Sequence, residues 1–450
     1  MQPRHELTAA AAARLIRAGE LSPLDLVVAL IERIEQTEPL VRAWVHLDRP
    51  GALRAARERA TEAAEGRFVG PLHGVPVALK DIFDAAGLVT TAGAAPFAHR
   101  VARADAAAVA RLRGAGAVIL GKVTTTAFAF LDPSPTRNPW NVEHTPGGSS
   151  SGPAAAVAAG MVPVALGSQT IGSVLRPAAY CGVVGLKPTH GRISTAGVLP
   201  LAWSLDHVGV FSRTVEDAAL LLGVMAGPDP ADPLSSPAAV DDYLSALADP
   251  APPRLGVLRA LVERAGPEVA AHVERVTRAL REAGAAVSDA ALPPAFEGLH
   301  DAGKLVLLAE AAAYHAPMYA RHADQYPPRL RQALEEGQRI TAVEFLTAQA
   351  HRRRFRAEML PIAARHDALL SPVAPTPAPH GLDSTGDPYF CAPWSFAGLP
   401  AIALPSGIAG DGLPLSVQLV GGPFTEARLL AAAAWSERAL GFAAAPRGLT

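Results

Sequence analysis

Lysine is scarce in this 450-residue chain: Lys80, Lys122, Lys187 and Lys304 stand among 40 basic residues, so arginine is used almost wherever a positive charge suffices. A lysine kept against that bias can do one thing arginine cannot, which is to lose its proton. Lys80 follows the apolar run Val75 to Leu79 and precedes Asp81, a strand end where burial would lower the pKa of an amine. The competing reading is a salt bridge to Asp81 or Asp84. Serine hydroxyls become nucleophiles only when a base removes their proton, and in this chain they concentrate in two glycine loops, Pro-Gly-Gly-Ser-Ser-Ser-Gly at 146–152 and a second from Gly167 to Arg176 that carries Ser173.

The elements around those loops are legible. Pro153 sits where a first helical residue belongs and Ala154 to Ala159 reads as helix, so the first loop ends at a helix start. Val162 to Leu166 has strand length and delivers the chain into the second loop. From Thr145 to Leu175 there is no Asp, Glu, Lys or Arg. Seven Gly or Pro residues between Gly147 and Gly167 exclude a membrane helix, so the stretch is expected to be buried, with its backbone groups satisfied internally.

These loops, followed by Gly-Leu-Lys-Pro-Thr at 185–189, resemble the amidase signature family of serine hydrolases, and the similarity runs from about Pro71 to Gly227. A weaker echo lies in Gly-Leu-Pro-Ala-Ile-Ala-Leu-Pro-Ser-Gly at 398–407 and Gly-Leu-Pro-Leu-Ser-Val-Gln-Leu-Val-Gly at 412–421. The resemblance implies Ser173 as nucleophile, Ser149 as bridging serine after a cis peptide, and Lys80 as base. Amide hydrogens of Thr170, Ile171, Gly172 and Ser173 would hold the oxyanion. Where the family usually has Thr-Gly-Gly-Ser this chain has Thr170-Ile171-Gly172-Ser173, and Gln169 replaces a common Asp. Arg176, three residues past Ser173, is similar to the malonamidase-like branch, where an arginine grips a substrate carboxylate; pairing with Asp206 or another acid of the protein is the alternative. The implied activity is cleavage of a C–N bond in a small amide or carbamate (a urethane), with no cofactor and no metal.

With 40 basic and 42 acidic residues the net charge is −2, which suggests no nucleic-acid and no anionic-membrane partner, and leaves a small amide or carbamate as substrate; a homodimer is admitted. The N-terminal stretch lacks an uninterrupted apolar core and Cys181 and Cys391 are the only cysteines, so a cytoplasmic enzyme without disulfides is expected. Alternating helix and strand patterns predict an α/β fold, a twisted mixed sheet with helices on both faces. One amidase domain spans 1–450: a helical part at 1–70, the signature core at 71–227, a Pro- and Asp-rich surface excursion at 228–253, and a part at 254–450 that covers the site. The aromatics Tyr389, Phe390, Trp394 and Phe396 are candidates to line a substrate channel. Helices are expected at Ser22 to Pro39, Leu53 to Ala64, Ala106 to Arg113, Thr214 to Met225 behind a Thr214/Asp217 capping box, and Glu268 to Glu282.

Two motifs point elsewhere. Gly116 to Lys122 spells the start of a phosphate-binding loop, but its middle is a strand-like Ala-Val-Ile-Leu and Val123 replaces the hydroxyl residue. Gly148-Ser149-Ser150-Ser151-Gly152 matches the nucleophile elbow of α/β-hydrolases, with Asp367 and His380 downstream, yet the approach through Asn138-Pro139-Trp140-Asn141 is no strand. An esterase using Ser150, a non-catalytic paralogue, and the amidase component of a tRNA-dependent amidotransferase (its A chain) remain the alternatives.

Overall fold

The computed structural model describes residues 3–449. Its frame is one eleven-stranded mixed sheet: β1 (Trp44–Leu47), β2 (Pro76–Lys80), β3 (Val118–Val123), β4 (Val164–Gln169), β5 (Val184–Lys187), β6 (His207–Ser212), β7 (Arg254–Leu258), β8 (Ala286–Ala290), β9 (Ala368–Pro372), β10 (Ala401–Ile408) and β11 (Pro414–Val420). In space the order is β1-β3-β2-β4-β6-β5-β10-β11-β9-β7-β8. β3, β2 and β4 run parallel, β6 to β11 antiparallel, and β9, β7 and β8 parallel again, so two parallel wings flank an antiparallel middle.

Every residue of β2, β3 and β4 is buried, as expected for parallel strands covered on both faces and built from Val, Leu, Ile and Ala. The helix Ser151–Ala158 packs on this wing, and its seven residues from Ser151 to Val157 are all buried. Gly152 is required there: a Cβ would come within 2.3 Å of the Thr124 amide nitrogen and 2.6 Å of the Ala43 carbonyl oxygen.

Several boundaries differ from expectation for local reasons. The Ser22-capped helix runs from Pro23 to Val41, through Pro39, and stops where Arg42 turns left-handed at φ 55°. The helix after the first loop starts at Ser151 rather than Pro153, and β4 is displaced two to three residues, to Val164–Gln169, because its antiparallel partner β6 pairs as far as Gln169↔His207. Half of the expected capping box forms: Thr214 Oγ1 accepts from the Asp217 amide, while the Asp217 carboxylate accepts from the amide of Ala10 instead. Residues 227–253 hold only the short 3-10 turn Ser245–Leu247. Buried Arg192 ties that segment down, donating to the carbonyls of Ala238 and Ala239 and to the Tyr243 hydroxyl. The Gly-Lys of the false phosphate loop lies inside β3, whose Lys122 is fully buried.

Candidate active site

The C-terminal ends of β2 and β4 lie side by side in the same direction, and ends of parallel strands are where open α/β sheets place their chemistry. Lys80 closes β2, Ser168 and Gln169 close β4, and both serine loops converge on that edge. Lys80 Nζ is fully buried and donates to Ser149 Oγ at 2.8 Å and to Ser168 Oγ at 2.8 Å. Neither acid that sequence offered as its partner is used. Asp81 pairs with Lys122 at 2.8 Å, and Asp84 receives both guanidinium nitrogens of Arg100 at 2.6 and 2.7 Å. Burial therefore holds the Lys80 amine well below the usual lysine range, opposed only by the charge of Asp206.

The peptide between Gly148 and Ser149 is cis. The first loop closes its own backbone as a buried loop must: the Ser149 carbonyl accepts from the Thr126 amide at 3.1 Å, and the Gly152 amide donates to the Thr124 carbonyl at 3.0 Å. Ser150 Oγ donates to the Ser168 carbonyl at 3.0 Å and is fully buried. The partners an elbow serine needs are elsewhere, since Asp367 is bound to Arg254 and His380 lies exposed beside Glu143.

Gln169 organises the second loop. Its Oε1 accepts from the amides of Val174 and Leu175, at 2.9 and 3.0 Å, and its Nε2 donates to Ser395 Oγ and the Ile171 carbonyl. Held this way, the amides of Thr170, Ile171, Gly172 and Ser173 donate to no protein acceptor among the described residues, and the Ser173 hydroxyl likewise has no protein partner. A cavity of about 250 Å3 opens in front of them, lined mainly by apolar groups such as Phe130, Leu131, Leu307 and Phe396, with Ser173 and Arg176 on its wall. A larger cavity, about 360 Å3, lies by the chain termini and contains none of these residues.

Arg176 is fully buried with no acid bound to it. Its Nη2 donates to the Gly148 carbonyl at 2.6 Å and to Thr385 Oγ1 at 3.2 Å, while Nε and Nη1 are without partners. Asp206, the acid considered for it, is engaged with Thr170 Oγ1 at 2.6 Å and with the amides of Leu201 and Ala202.

Sequence reasoning missed His300, Lys304, Leu307 and Leu308, which the helix Leu299–His322 brings to the cavity from far along the chain. His300 stacks on Tyr389 with ring centroids 4.1 Å apart. Of the aromatic cluster only Phe396 lines the cavity, whereas Phe390 and Trp394 are core. Among the described residues no group of three or more His, Cys, Asp or Glu could hold a metal ion, and no helix is long and apolar enough to cross a membrane.

Over 96% of its length the chain is 37% identical to 95% of the A chain of the glutamyl-tRNA(Gln) amidotransferase from Roseiflexus castenholzii. Among solved structures it is similar to 6-aminohexanoate cyclic dimer hydrolase, at 30% identity and TM-score 0.89 over 98% of both chains. It is also similar to the peptide amidase of Stenotrophomonas maltophilia, at 32% identity and TM-score 0.85 over 99% of both chains. The first of these relatives corrects the expectation of a small amide or carbamate substrate and no nucleic acid, because its name joins such a chain to a tRNA and to further subunits. The near-zero net charge does not decide the point, because it describes one chain as a whole and says nothing of partners held through other proteins. The family pattern "Amidase" matches residues 25–430, and this chain belongs to the amidase signature family.

Proposed function

We propose that the chain is the amide-cleaving component of an amidotransferase acting on a tRNA-linked substrate, and that Ser173, Ser149 and Lys80 perform the cleavage. The observation that supports the chemistry most is the buried Lys80 amine, bonded to Ser149 and Ser168 and to no carboxylate, beside a loop whose Ser173 hydroxyl is free. Neutral Lys80 takes a proton from Ser149 as Ser149 takes one from Ser173, and Ser173 Oγ bonds to the carbonyl carbon of the amide. The carbonyl π pair moves to oxygen, where the amides of Thr170, Ile171, Gly172 and Ser173 stabilise the charge. The proton returns along the same path to the amide nitrogen, the C–N bond breaks, ammonia leaves, and the acyl group stays on Ser173. Water, deprotonated by the same relay, then releases the acid and restores the serine.

The amidotransferase reading rests on identity over nearly the whole of both chains to a component of that name. On it, the ammonia passes to a partner protein that amidates the tRNA-linked acid, a reaction of the cytoplasm. Arg176, with Nε and Nη1 unpaired beside the cavity, would take an anionic group of the ammonia donor. The test is ammonia release from glutamine by the chain alone and with the remaining subunits of the Roseiflexus enzyme plus glutamyl-tRNA(Gln). A strong rise on adding partners and tRNA is expected, and its absence in the Ser173→Ala chain. Rapid turnover of an aryl amide or aryl carbamate by the chain alone, unchanged by partners, would mean a free-standing hydrolase instead.

A further inference from the structure

Behind the second loop lies a cavity of about 30 Å3 whose wall includes the polar side chains of Ser168, Thr170, Asp206 and His207, and Asp206 is the one carboxylate there. Ser168 is the second partner of Lys80, and Thr170 is the first residue of the loop that carries Ser173. Asp206 touches this system in two ways. Its Oδ1 accepts from Thr170 Oγ1 at 2.6 Å, and its Oδ2 is fixed by the amides of Leu201 and Ala202 at 2.8 and 3.0 Å. It also precedes β6, which pairs with β4 while β2 pairs with the other edge of β4, so it sits just past the end of β4, from where its charge favours the charged form of Lys80.

We propose that Asp206 is a positioning residue for the reaction: through Thr170 it fixes the oxyanion loop, and through its charge it tunes the proton affinity of Lys80. The inference rests on the assignment of Lys80 as base. Asp206 keeps some open surface because it lines the cavity, yet it lies deep enough that burial pushes its carboxyl up to about 6, against the pull of the Thr170 hydroxyl and the two amides. The other groups facing it are Glu310 and Tyr314 from the helix Leu299–His322, and His207, whose ring burial keeps neutral. Glu310 is itself occupied by the amide and hydroxyl of Ser204. An ionised Asp206 favours the charged form of Lys80, so it raises the pH at which the base becomes available.

Two variants separate the roles. In Asp206→Asn the side-chain oxygen still accepts from the Leu201 and Ala202 amides and the NH2 group can donate to Thr170 Oγ1, so the tie survives and only the charge is lost. Thr170→Val keeps the charge and removes the tie. The readout is the rate at which a fluorophosphonate probe labels Ser173 as a function of pH, which needs neither the natural amide nor a partner. Asp206→Asn is expected to move the acid limb of that profile down by about one pH unit. Thr170→Val is expected to lower the plateau about 10-fold to 100-fold, with the limb in place. An unmoved limb in Asp206→Asn, or an equal displacement in Thr170→Val, overturns the proposal. Lys80→Ala and Ser173→Ala keep the two layers apart: near-normal labelling in Lys80→Ala removes the base assignment and in Ser173→Ala the nucleophile assignment, whereas loss in both with an unmoved Asp206→Asn limb removes only the role of Asp206.

Discussion

The Lys122 ammonium lies 2.8 Å from Asp81 Oδ1, with both side chains wholly buried, and this pair engages the carboxylate that adjoins Lys80 in the chain. Lys122 also donates to Thr90 Oγ1, and Asp81 Oδ2 accepts from the Thr91 amide and hydroxyl, so every group of the pair is satisfied. Lysine at 122 and aspartate at 81 thus act together to leave the neighbouring lysine among hydroxyls alone.

Removing one partner should strand the other. Lys122→Met is expected to cost about 3 to 5 kcal/mol of stability, since a buried charge loses its counterion. The double variant Lys122→Met/Asp81→Asn should recover a good part of that loss in denaturant unfolding. Equal stabilities for the single and double variants would show that the pair is not coupled.

Lys187 gives a prediction in pH. It is fully buried, donates to the carbonyls of Pro188 and Leu399, and burial brings its amine down to about 7. Between pH 7 and about 10.5 the unfolded chain therefore binds a proton that the folded chain does not, and stability rises with pH by up to about 1.4 kcal/mol per unit. Below pH 7 both states are protonated and the penalty is fully present. Lys187→Met should flatten this rise, so its advantage over the parent is greatest near neutrality and fades toward pH 10.5 in thermal or urea unfolding. Parallel curves for the two proteins would contradict it.

The oxyanion loop should respond to backbone rather than side chain. Gly172→Pro removes an amide hydrogen and brings ring atoms where even a Cβ would lie 2.9 Å from Pro388 Cβ, so a loss of at least about 100-fold in kcat is expected. Ile171→Gly keeps its amide and enlarges the cavity that Ile171 lines, and should retain turnover while admitting bulkier acyl groups. An inactive Ile171→Gly chain would show that the side chain itself is needed.

For Arg176 the bond to the Gly148 carbonyl predicts a mixed effect, because that carbonyl adjoins Ser149. Arg176→Ala should lower kcat for every amide and, in addition, raise KM about 10-fold to 100-fold for amides that carry a carboxylate, one charge-assisted contact being worth about 1.5 to 3 kcal/mol. A KM unchanged for anionic and neutral amides alike would make Arg176 purely a support of the first loop.

Sequence shows the parts of this site whose reasons are local. The Gly and Pro residues of 146–152 mark the first loop, the apolar run before Lys80 marks β2, and the lysine bias marks Lys80 itself. Sequence does not show which acid faces which base. Asp81 adjoins Lys80 in the chain, but side chains of successive strand residues point to opposite faces, and Asp81 turns to Lys122 from the neighbouring strand. On sequence Asp206 is equally available to Arg176, and only the pairing of β4 with β6 sets it against Thr170. His300 and Lys304 reach the cavity by helix packing over more than a hundred residues of separation, and nothing in their local pattern announces it. The near-zero net charge argues only against direct nucleic-acid binding by this chain, and says nothing about partners held through other proteins.

The central claim is that Ser173 carries the acyl group. Rapid acid quench during turnover of an amide, followed by proteolysis and mass spectrometry, measures this directly. An acyl adduct on Ser173 is predicted, absent in Ser173→Ala and in Lys80→Ala and retained in Asp206→Asn. An adduct on Ser150, or undiminished turnover in Ser173→Ala, would contradict it.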